Sequence, residues 1–219
     1  MTIDGFAFGY PRECTRCANI PTNPTSHLIG LHVGPFLKSG SGPRVMLVGQ
    51  DPTIARRPER VKQVLMLDQR NGRLSRWLEG IFGARHFETI TLYATNVVKC
   101  TFSNLPSRML EGGLKFLQPY FGNCGQYLPG EVLSFQPRCV ITLGEPAHRL
   151  FASLLDNANE IPPDMKSAFT GKFVRARLQG FEFDYSSCLH VQTFRVAEKY
   201  GSKVEAFKQG LLAYFDNTE

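Results

Sequence analysis

Apolar positions along the chain form short runs and repeating stripes. Three apolar runs end in turn or polar residues and predict buried strands at 44–49, 90–96 and 138–144. Elsewhere apolar residues recur every three or four positions, which predicts amphipathic helices. The three stripes are Leu74, Trp77, Leu78, Ile81 and Phe82; Ala147, Leu150, Phe151, Leu154 and Leu155; and Val204, Phe207, Leu211, Leu212 and Phe215.

The order of these elements predicts the fold class. Residues 173–178 and 181–185 alternate around Gln179-Gly180 and predict a hairpin. Residues 18–43 are rich in Gly, Pro, Ser, Thr and Asn and predict a long ordered loop. Strands that alternate with helices indicate one α/β domain over 1–219, with three α/β/α layers and a central, mostly parallel four-stranded sheet.

Polar side chains follow the predicted strands at the points where the strands end. Gln50 and Asp51 follow the first strand within Gly49-Gln50-Asp51-Pro52, Asn96 ends the second, and His190 follows the last. Ligands of such sheets bind beyond the carboxyl ends of the strands. We therefore expect these side chains to converge on one crevice.

Each of these residues has a simpler interpretation when it is taken alone. Asp51 can act as a base or stabilise positive charge, but it can also cap a backbone N–H in a turn. Asn96 can read a pyrimidine edge, but an asparagine at a strand end also closes turns. For both residues the turn is the favoured interpretation in isolation. The other four histidines lie at positions typical of satisfied or solvated side chains.

The net charge and the expected compartment limit the kinds of partner that the protein is expected to bind. The chain has 219 residues, 42% of them hydrophobic, and a net charge of +6, which suits a polyanion without proving one. Residues 54–76 contain seven basic residues against two acidic ones. No apolar run reaches the length of a membrane helix, and the first ten residues lack a secretory pattern. We expect a cytoplasmic, nucleoid-associated monomer with no membrane partner.

Six cysteines in a cytosolic chain are not expected to form structural disulfides. Ligation of a metal or a cluster is the competing explanation. Cys139 and Cys188 fall in predicted strands and are best interpreted as small buried core residues.

Several segments, in order, resemble the uracil-DNA glycosylase superfamily. Residues 45–52 resemble motif A of these enzymes, and 94–100 (ATNVVKC) look like a segment of the iron–sulfur branch called family 4. Residues 137–144 are similar to the next strand of that branch, and Leu189-His190 stands where motif B has its histidine. Cys14-Thr15-Arg16-Cys17 matches the start of the branch, with an N-terminal cluster-binding segment at 10–43.

The resemblance implies an activity and roles for the residues. It implies hydrolysis of the N-glycosidic bond of uracil, or a related deaminated base, in DNA, leaving an abasic site. Asp51 and His190 would be catalytic, and Asn96 would read the base with the backbone around Gln50. The target base must be flipped out or met in a single strand. The remaining substrate contacts would come from Gly49, Pro52, Thr53 and Leu67.

The resemblance also implies a cofactor and a DNA grip. Four thiolates suit a [4Fe–4S] cluster and equally suit structural zinc. The gap between Cys100 and Cys124 is longer than usual in the branch, so Cys124 is the least secure ligand. The implied ligands are Cys14, Cys17, Cys100 and Cys124, and the implied DNA contacts are Arg56, Arg57, Arg73, Phe194 and Arg195.

Departures from the family pattern concern specificity. Motif A has Gln-Asp, as in family 1, where family 4 usually has Glu. Thr53 replaces the family 1 tyrosine that blocks the thymine methyl group. The stacking phenylalanine of family 4 falls near Leu67, where the chain has no aromatic residue. Motif B lacks the usual proline and serine, and Phe194 is either an intercalating wedge or a core residue.

Two other functions remain open from the sequence. The first is a non-catalytic or weakly active binder of uracil or abasic DNA on the same fold, since fold does not fix function. The second is an unrelated metal-stabilised α/β domain that acts on a small nucleotide, against which only the ordered set of motifs argues.

Overall fold

A computed structural model describes most of the residues of the chain. They are 2–3, 6–7, 14–17, 20, 27–51, 62–69, 72–102, 106, 112–190 and 201–217. In these ranges the strands are β1 (Thr2–Ile3), β2 (Phe6–Ala7), β3 (His27–His32), β4 (Phe36–Lys38), β5 (Arg44–Gly49), β6 (Thr91–Asn96), β7 (Cys100–Phe102), β8 (Cys139–Leu143), β9 (Val174–Leu178) and β10 (Phe181–Cys188). The helices are α1 (Arg73–Phe82), α2 (Ala84–Thr89), α3 (Gly113–Cys124), α4 (Tyr127–Phe135), α5 (Glu145–Ala152), α6 (Met165–Ala168) and α7 (Gly201–Asp216).

The central sheet has six strands in the order β4-β6-β5-β8-β10-β9. Its four inner strands are parallel to one another, as predicted. The two edge strands pair antiparallel, β4 with β6 and β9 with β10, so the sheet is two strands wider than the sequence predicts. The smaller pairs β1-β2 and β3-β7 lie outside it.

Helices cover both faces of this sheet and create the three layers. Successive side chains of a strand point to opposite faces, and both faces of β5 are buried. Met46 and Val48 join an apolar cluster with residues of α3, α4 and α5. Val45 and Leu47 join a second cluster with residues of α1 and α7. A sheet buried on both faces explains why its strands read as continuous apolar runs.

Three predictions from the sequence are corrected. The predicted loop at 18–43 contains β3 and β4, which pair with β7 and β6. The predicted elements lack α3 and α4, whose sequences include Pro119 and Pro129. Helix α5 ends at Ala152, before the last two residues of its predicted stripe. The reason is common to all three, because tertiary pairing and packing outweigh weak local signals.

The described helices lack the features of a membrane-spanning helix. None of them combines the necessary length with the necessary apolar character.

Candidate functional site

The carboxyl ends of the four parallel strands bring the predicted polar residues to one edge of the sheet. Gly49 is paired with Asn96 in the β5–β6 register. Beyond this pair, the N–H groups of Val97 and Val98 donate to the carbonyls of Gly49 (2.9 Å) and Gln50 (3.0 Å). The end of β5 and the turn after β6 are therefore joined by backbone hydrogen bonds, which fix Asn96 beside motif A.

His190 reaches the same edge from the other side. The Gly144 N–H, just after β8, donates to the Cys188 carbonyl at 2.8 Å. A β-carbon placed on Gly144 would lie 3.3 Å from the His190 Cβ, and Gly144 has a φ of 92°. Because β8 lies between β5 and β10, the strand that leads to His190 is two strand spacings, about 10 Å, from β5. His190 therefore lies at the same edge of the sheet as motif A, across the end of β8.

Asn96 has an unusual hydrogen-bonding state. Its side chain is only 2% exposed, and its Oδ1 has no hydrogen-bond partner within the described structure. A buried acceptor without a partner costs about 1–3 kcal/mol, and such groups are few in native proteins. The side chain lies against the α-carbon of Gly49, where a β-carbon would collide with Oδ1. An uncompensated carboxamide at the mouth of a parallel sheet is a group positioned for a ligand.

The variant Gly49→Ala tests the close contact between Gly49 and the Asn96 side chain. The added methyl group has to displace the Asn96 carboxamide, so we expect a destabilisation of about 1–3 kcal/mol and weaker ligand binding. Thermal unfolding measures the first effect. The control is Gly130→Ala, because Gly130 lies exposed in α4 with nothing within 4 Å of the new β-carbon. The control should gain about 0.5–1 kcal/mol from helix propensity, and equal stability changes in both variants would contradict the steric argument.

Asp51 is half-buried at the end of motif A. The Gln50 Nε2 donates to the Asp51 Oδ1 at 2.5 Å. This bond orients the carboxylate relative to the strand end. The arrangement suits a carboxylate that accepts a proton or stabilises nearby positive charge.

His190 is half-buried and its electrostatic environment disfavours the imidazolium. Burial is the main cause that lowers the pKa of His190, and the positive charge of Arg73 lowers it further. At neutral pH the ring is therefore a neutral imidazole, which can donate one hydrogen bond without carrying charge. Arg73 is the exposed first residue of α1, and its effect on His190 places this helix start near the site.

The coupling between Arg73 and His190 predicts a measurable titration. Arg73→Gln removes a positive charge near the ring and should raise the pKa of His190. NMR titration of the imidazole protons measures this shift directly. Arg76→Gln is the matched control, since Arg76 is an exposed arginine on the same helix that does not perturb His190. An unchanged His190 pKa in Arg73→Gln would show that the two groups are not coupled.

The segment at 62–69 places two leucines differently. Leu67 is 5% exposed and packs in the apolar cluster of α1 and α7. Leu65 instead approaches the site, since its Cδ2 lies 3.4 Å from a β-carbon placed on Gly49. Leu65 and Met66 have φ values of 59° and 50°, a region that costs non-glycine residues about 1–3 kcal/mol. Sequence patterns carry no signal for Leu65, because its approach depends on this backbone geometry.

The four cysteines that were expected to bind a group are buried and close together. Cys17, Cys100 and Cys124 are within hydrogen-bonding contact of one another, and this contact lowers the pKa of Cys17. Asn123 Nδ2 also donates to the Cys17 Sγ at 3.4 Å. Cys14 contacts the Tyr127 hydroxyl and acts on Cys17 through its charge. Three chain segments thus bring four sulfur atoms to one place.

Within the described ranges, no group of three or more histidine, cysteine, aspartate or glutamate side chains is arranged to hold a metal ion. The chemistry of the donor set nevertheless suits a thiolate-ligated group, since its members are four buried sulfurs. Cys139 and Cys188 lie apart in β8 and β10, 0% and 1% exposed, which confirms them as core residues.

The remaining expected site residues lie outside the described part of the chain. They are Pro52, Thr53, Arg56, Arg57, Phe194 and Arg195.

The fold and the site together define a class of protein: a three-layer α/β domain with a buried carboxamide, a carboxylate and a neutral imidazole at the strand ends. The family model described as the uracil DNA glycosylase superfamily matches residues 37–207, and the chain belongs to that superfamily. No curated protein matches the chain.

Proposed function

We propose that this protein hydrolyses the N-glycosidic bond of uracil, or of a related deaminated base, in DNA and leaves an abasic site. The single observation that carries the proposal is the buried Asn96 carboxamide, whose Oδ1 is without a hydrogen-bond partner in the described residues. Membership of the superfamily supplies the reaction class.

Base recognition is assigned to Asn96. Uracil presents an N–H donor beside a carbonyl acceptor on its pairing edge. The Asn96 Oδ1 accepts from that N–H while its amide nitrogen donates to the carbonyl oxygen. Cytosine presents an acceptor and an amino group at the same positions, so the pattern rejects it. The backbone of Gly49 and Gln50, held against the turn after β6, would form the adjacent wall, and the substrate contacts that the resemblance implies for Pro52 and Thr53 stay part of the proposal.

Bond cleavage is assigned to Asp51 and His190. As the bond from the sugar to the base breaks, its electron pair moves onto the uracil and positive charge develops on the sugar. The Asp51 carboxylate stabilises that charge and positions the attacking water, whose proton it accepts. The neutral His190 donates a hydrogen bond to the uracil oxygen that gains negative charge. Such preorganised electrostatic stabilisation is commonly the largest contribution to catalysis.

DNA binding is assigned to Arg73 at the start of α1 and to the other residues that the family resemblance implies. Arg73, Arg56, Arg57 and Arg195 contact phosphates, and Phe194 fills the space of the flipped base. Phosphate contacts release counterions, so binding should weaken steeply as the salt concentration rises. DNA is therefore the partner, and flipping costs a few kcal/mol, least at a mismatch.

A cofactor-binding role is assigned to Cys14, Cys17, Cys100 and Cys124. These residues would hold a [4Fe–4S] cluster, as in the family 4 branch, with structural zinc as the alternative. Bound there, the group would join three segments of the chain. Broad visible absorption of the purified protein, with about four irons per chain, supports the cluster. A colourless protein with stoichiometric zinc replaces it by the alternative.

A second function is a binder of uracil or abasic DNA that does not release the base. The observation in its favour is that the segment at 62–69 presents the aliphatic Leu65 to the site. Stacking on an aromatic residue is worth about 1–3 kcal/mol per base, and a leucine supplies none of it. Salt-sensitive binding without base release would establish this function.

The deciding experiment incubates the protein with single- and double-stranded DNA that carries one modified base and then adds alkali, which cuts abasic sites. Uracil is tested beside hypoxanthine and thymine, so that the assay also gives base specificity. Cleavage at uracil supports the glycosylase. Binding with no cleavage at any base supports the second function and rejects the first.

A further inference from the structure

Lys99 and Glu131 form an ion pair that is fully enclosed by the protein. The Lys99 Nζ donates to both carboxylate oxygens of Glu131, each at 2.8 Å, and both side chains are 0% exposed. Glu131 lies on α4, while Lys99 lies in the turn between β6 and β7. The pair connects a helix to the turn that follows Asn96.

The same ammonium group also bonds to a residue on the other side of Asn96. The Lys99 Nζ also donates to the Thr95 Oγ1 at 2.6 Å, and that hydroxyl donates to the Glu131 Oε1 at 3.2 Å. Thr95 and Lys99 are four residues apart, and Asn96 lies between them. The side chain of Lys99 therefore clamps the two ends of a short segment that contains the base-reading residue.

Two further attachments hold this clamped segment. Val97 and Val98 are bonded through their N–H groups to Gly49 and Gln50. The Lys99 N–H approaches the Cys124 Sγ at 3.5 Å, and the next residue is Cys100. Lys99 is thus the residue at which the sheet end, helix α4 and the cysteine group meet.

The choice of an ion pair at this position calls for an explanation other than stability. Enclosing two charges is costly, and apolar pairs of similar volume often stabilise a protein equally well or better. A fixed pair that is also hydrogen-bonded to Thr95 instead selects one conformation of the segment. Asn96 needs such external fixation, because its own Oδ1 has no partner among the described residues.

We propose that Lys99 is a positioning residue, which with Glu131 holds the Asn96 carboxamide in register with Gly49 and Gln50. The inference rests on the proposed function for the role of Asn96. It assigns the specificity of base recognition partly to a charge pair buried on the opposite face of the sheet, since Thr95 and Asn96 alternate across β6.

The test replaces both charges with apolar residues of similar length, Lys99→Met with Glu131→Met. This double variant leaves no uncompensated charge, so it should fold. We expect uracil release to fall about tenfold in kcat with KM little changed, as for a 1.4 kcal/mol loss of transition-state stabilisation. In an Asn96→Ala background the same double change should have almost no further effect.

The control is His86→Leu, which removes a buried polar side chain that pairs with Asp216 at 2.9 Å. His86 lies in α2 ahead of β6, away from the strand ends, so this variant should lose stability but keep its kcat. An equal loss of kcat from the double change in the wild-type and Asn96→Ala backgrounds would assign Lys99 a merely structural role and overturn the inference, while the glycosylase assignment stands.

A second measurement does not depend on activity. The side-chain amide of Asn96 gives an NMR signal that is assigned by its absence in Asn96→Ala. The double variant should shift or broaden this signal, and His86→Leu should not. If the wild-type protein releases no base, the proposed function fails, and an unchanged Asn96 signal in the double variant then overturns the positioning role as well.

Discussion

Asn96→Asp should lower the rate of uracil release about 10³-fold while the protein remains folded. A carboxylate accepts hydrogen bonds but donates none, so it loses the bond to the uracil carbonyl and repels that oxygen. The effect is large because the side chain is 2% exposed and water cannot substitute for the lost donor. Single-turnover cleavage of uracil DNA gives the ratio of rates.

The same variant should gain activity on cytosine. A carboxylate at position 96 can accept from the amino group of cytosine, which the native carboxamide nitrogen opposes. The ratio of uracil to cytosine release should therefore fall by more than the uracil rate alone. Asn217→Asp is the control, because it makes the same chemical change at the exposed end of α7. Uracil release within about threefold of wild type in Asn96→Asp would remove Asn96 from base recognition.

Asp51→Asn should lower the single-turnover rate about 10²–10⁴-fold, the range typical of a positioned acid or base. An asparagine oxygen can still accept the bond from Gln50 Nε2, so the local geometry should survive. Only the negative charge and the proton acceptor are lost. Affinity for uracil DNA should stay close to wild type or rise slightly, which fluorescence anisotropy can measure.

Asp68→Asn provides the matched control for Asp51→Asn. Asp68 is exposed in the basic segment after motif A, so its substitution makes the same change in net charge. We expect its cleavage rate to stay within about twofold of wild type, because a surface charge acts weakly through salt. Similar losses of rate in both variants would mean that Asp51 acts through general electrostatics and not as a catalytic group.

Much of the fold is predictable from local patterns. The inner strands β5, β6 and β8 are continuous apolar runs because they are buried on both faces. Edge strand β4 gives no such signal, since three half-buried residues between turn formers resemble a loop. Helices α3 and α4 are also hard to predict. They contain prolines and are apolar on several sides, so their sequences do not show the periodic stripe of an amphipathic helix.

The candidate site also has a part that is predictable from the sequence and a part that is not. The positions of Asn96, Gly49 and His190 at one edge of the sheet are predictable, because the end of a parallel strand is a place that sequence alone can locate. The position of Leu65 is not, because its approach to Gly49 depends on an unusual backbone conformation. The pairing of Lys99 with Glu131 joins residues 32 apart through the packing of α4 on the sheet. No local pattern contains that information.

Identification of the released product decides whether the protein cleaves the N-glycosidic bond of uracil in DNA. The wild-type protein is incubated under single-turnover conditions with DNA that contains one uracil, and the released base is determined by mass spectrometry beside the Asp51→Asn variant. We expect free uracil in an amount equal to the alkali-sensitive sites from the wild-type protein, and a 10²–10⁴-fold slower appearance from the variant. Intact uracil DNA after incubation with folded protein, in both single- and double-stranded form, would show that the protein is not a uracil-DNA glycosylase.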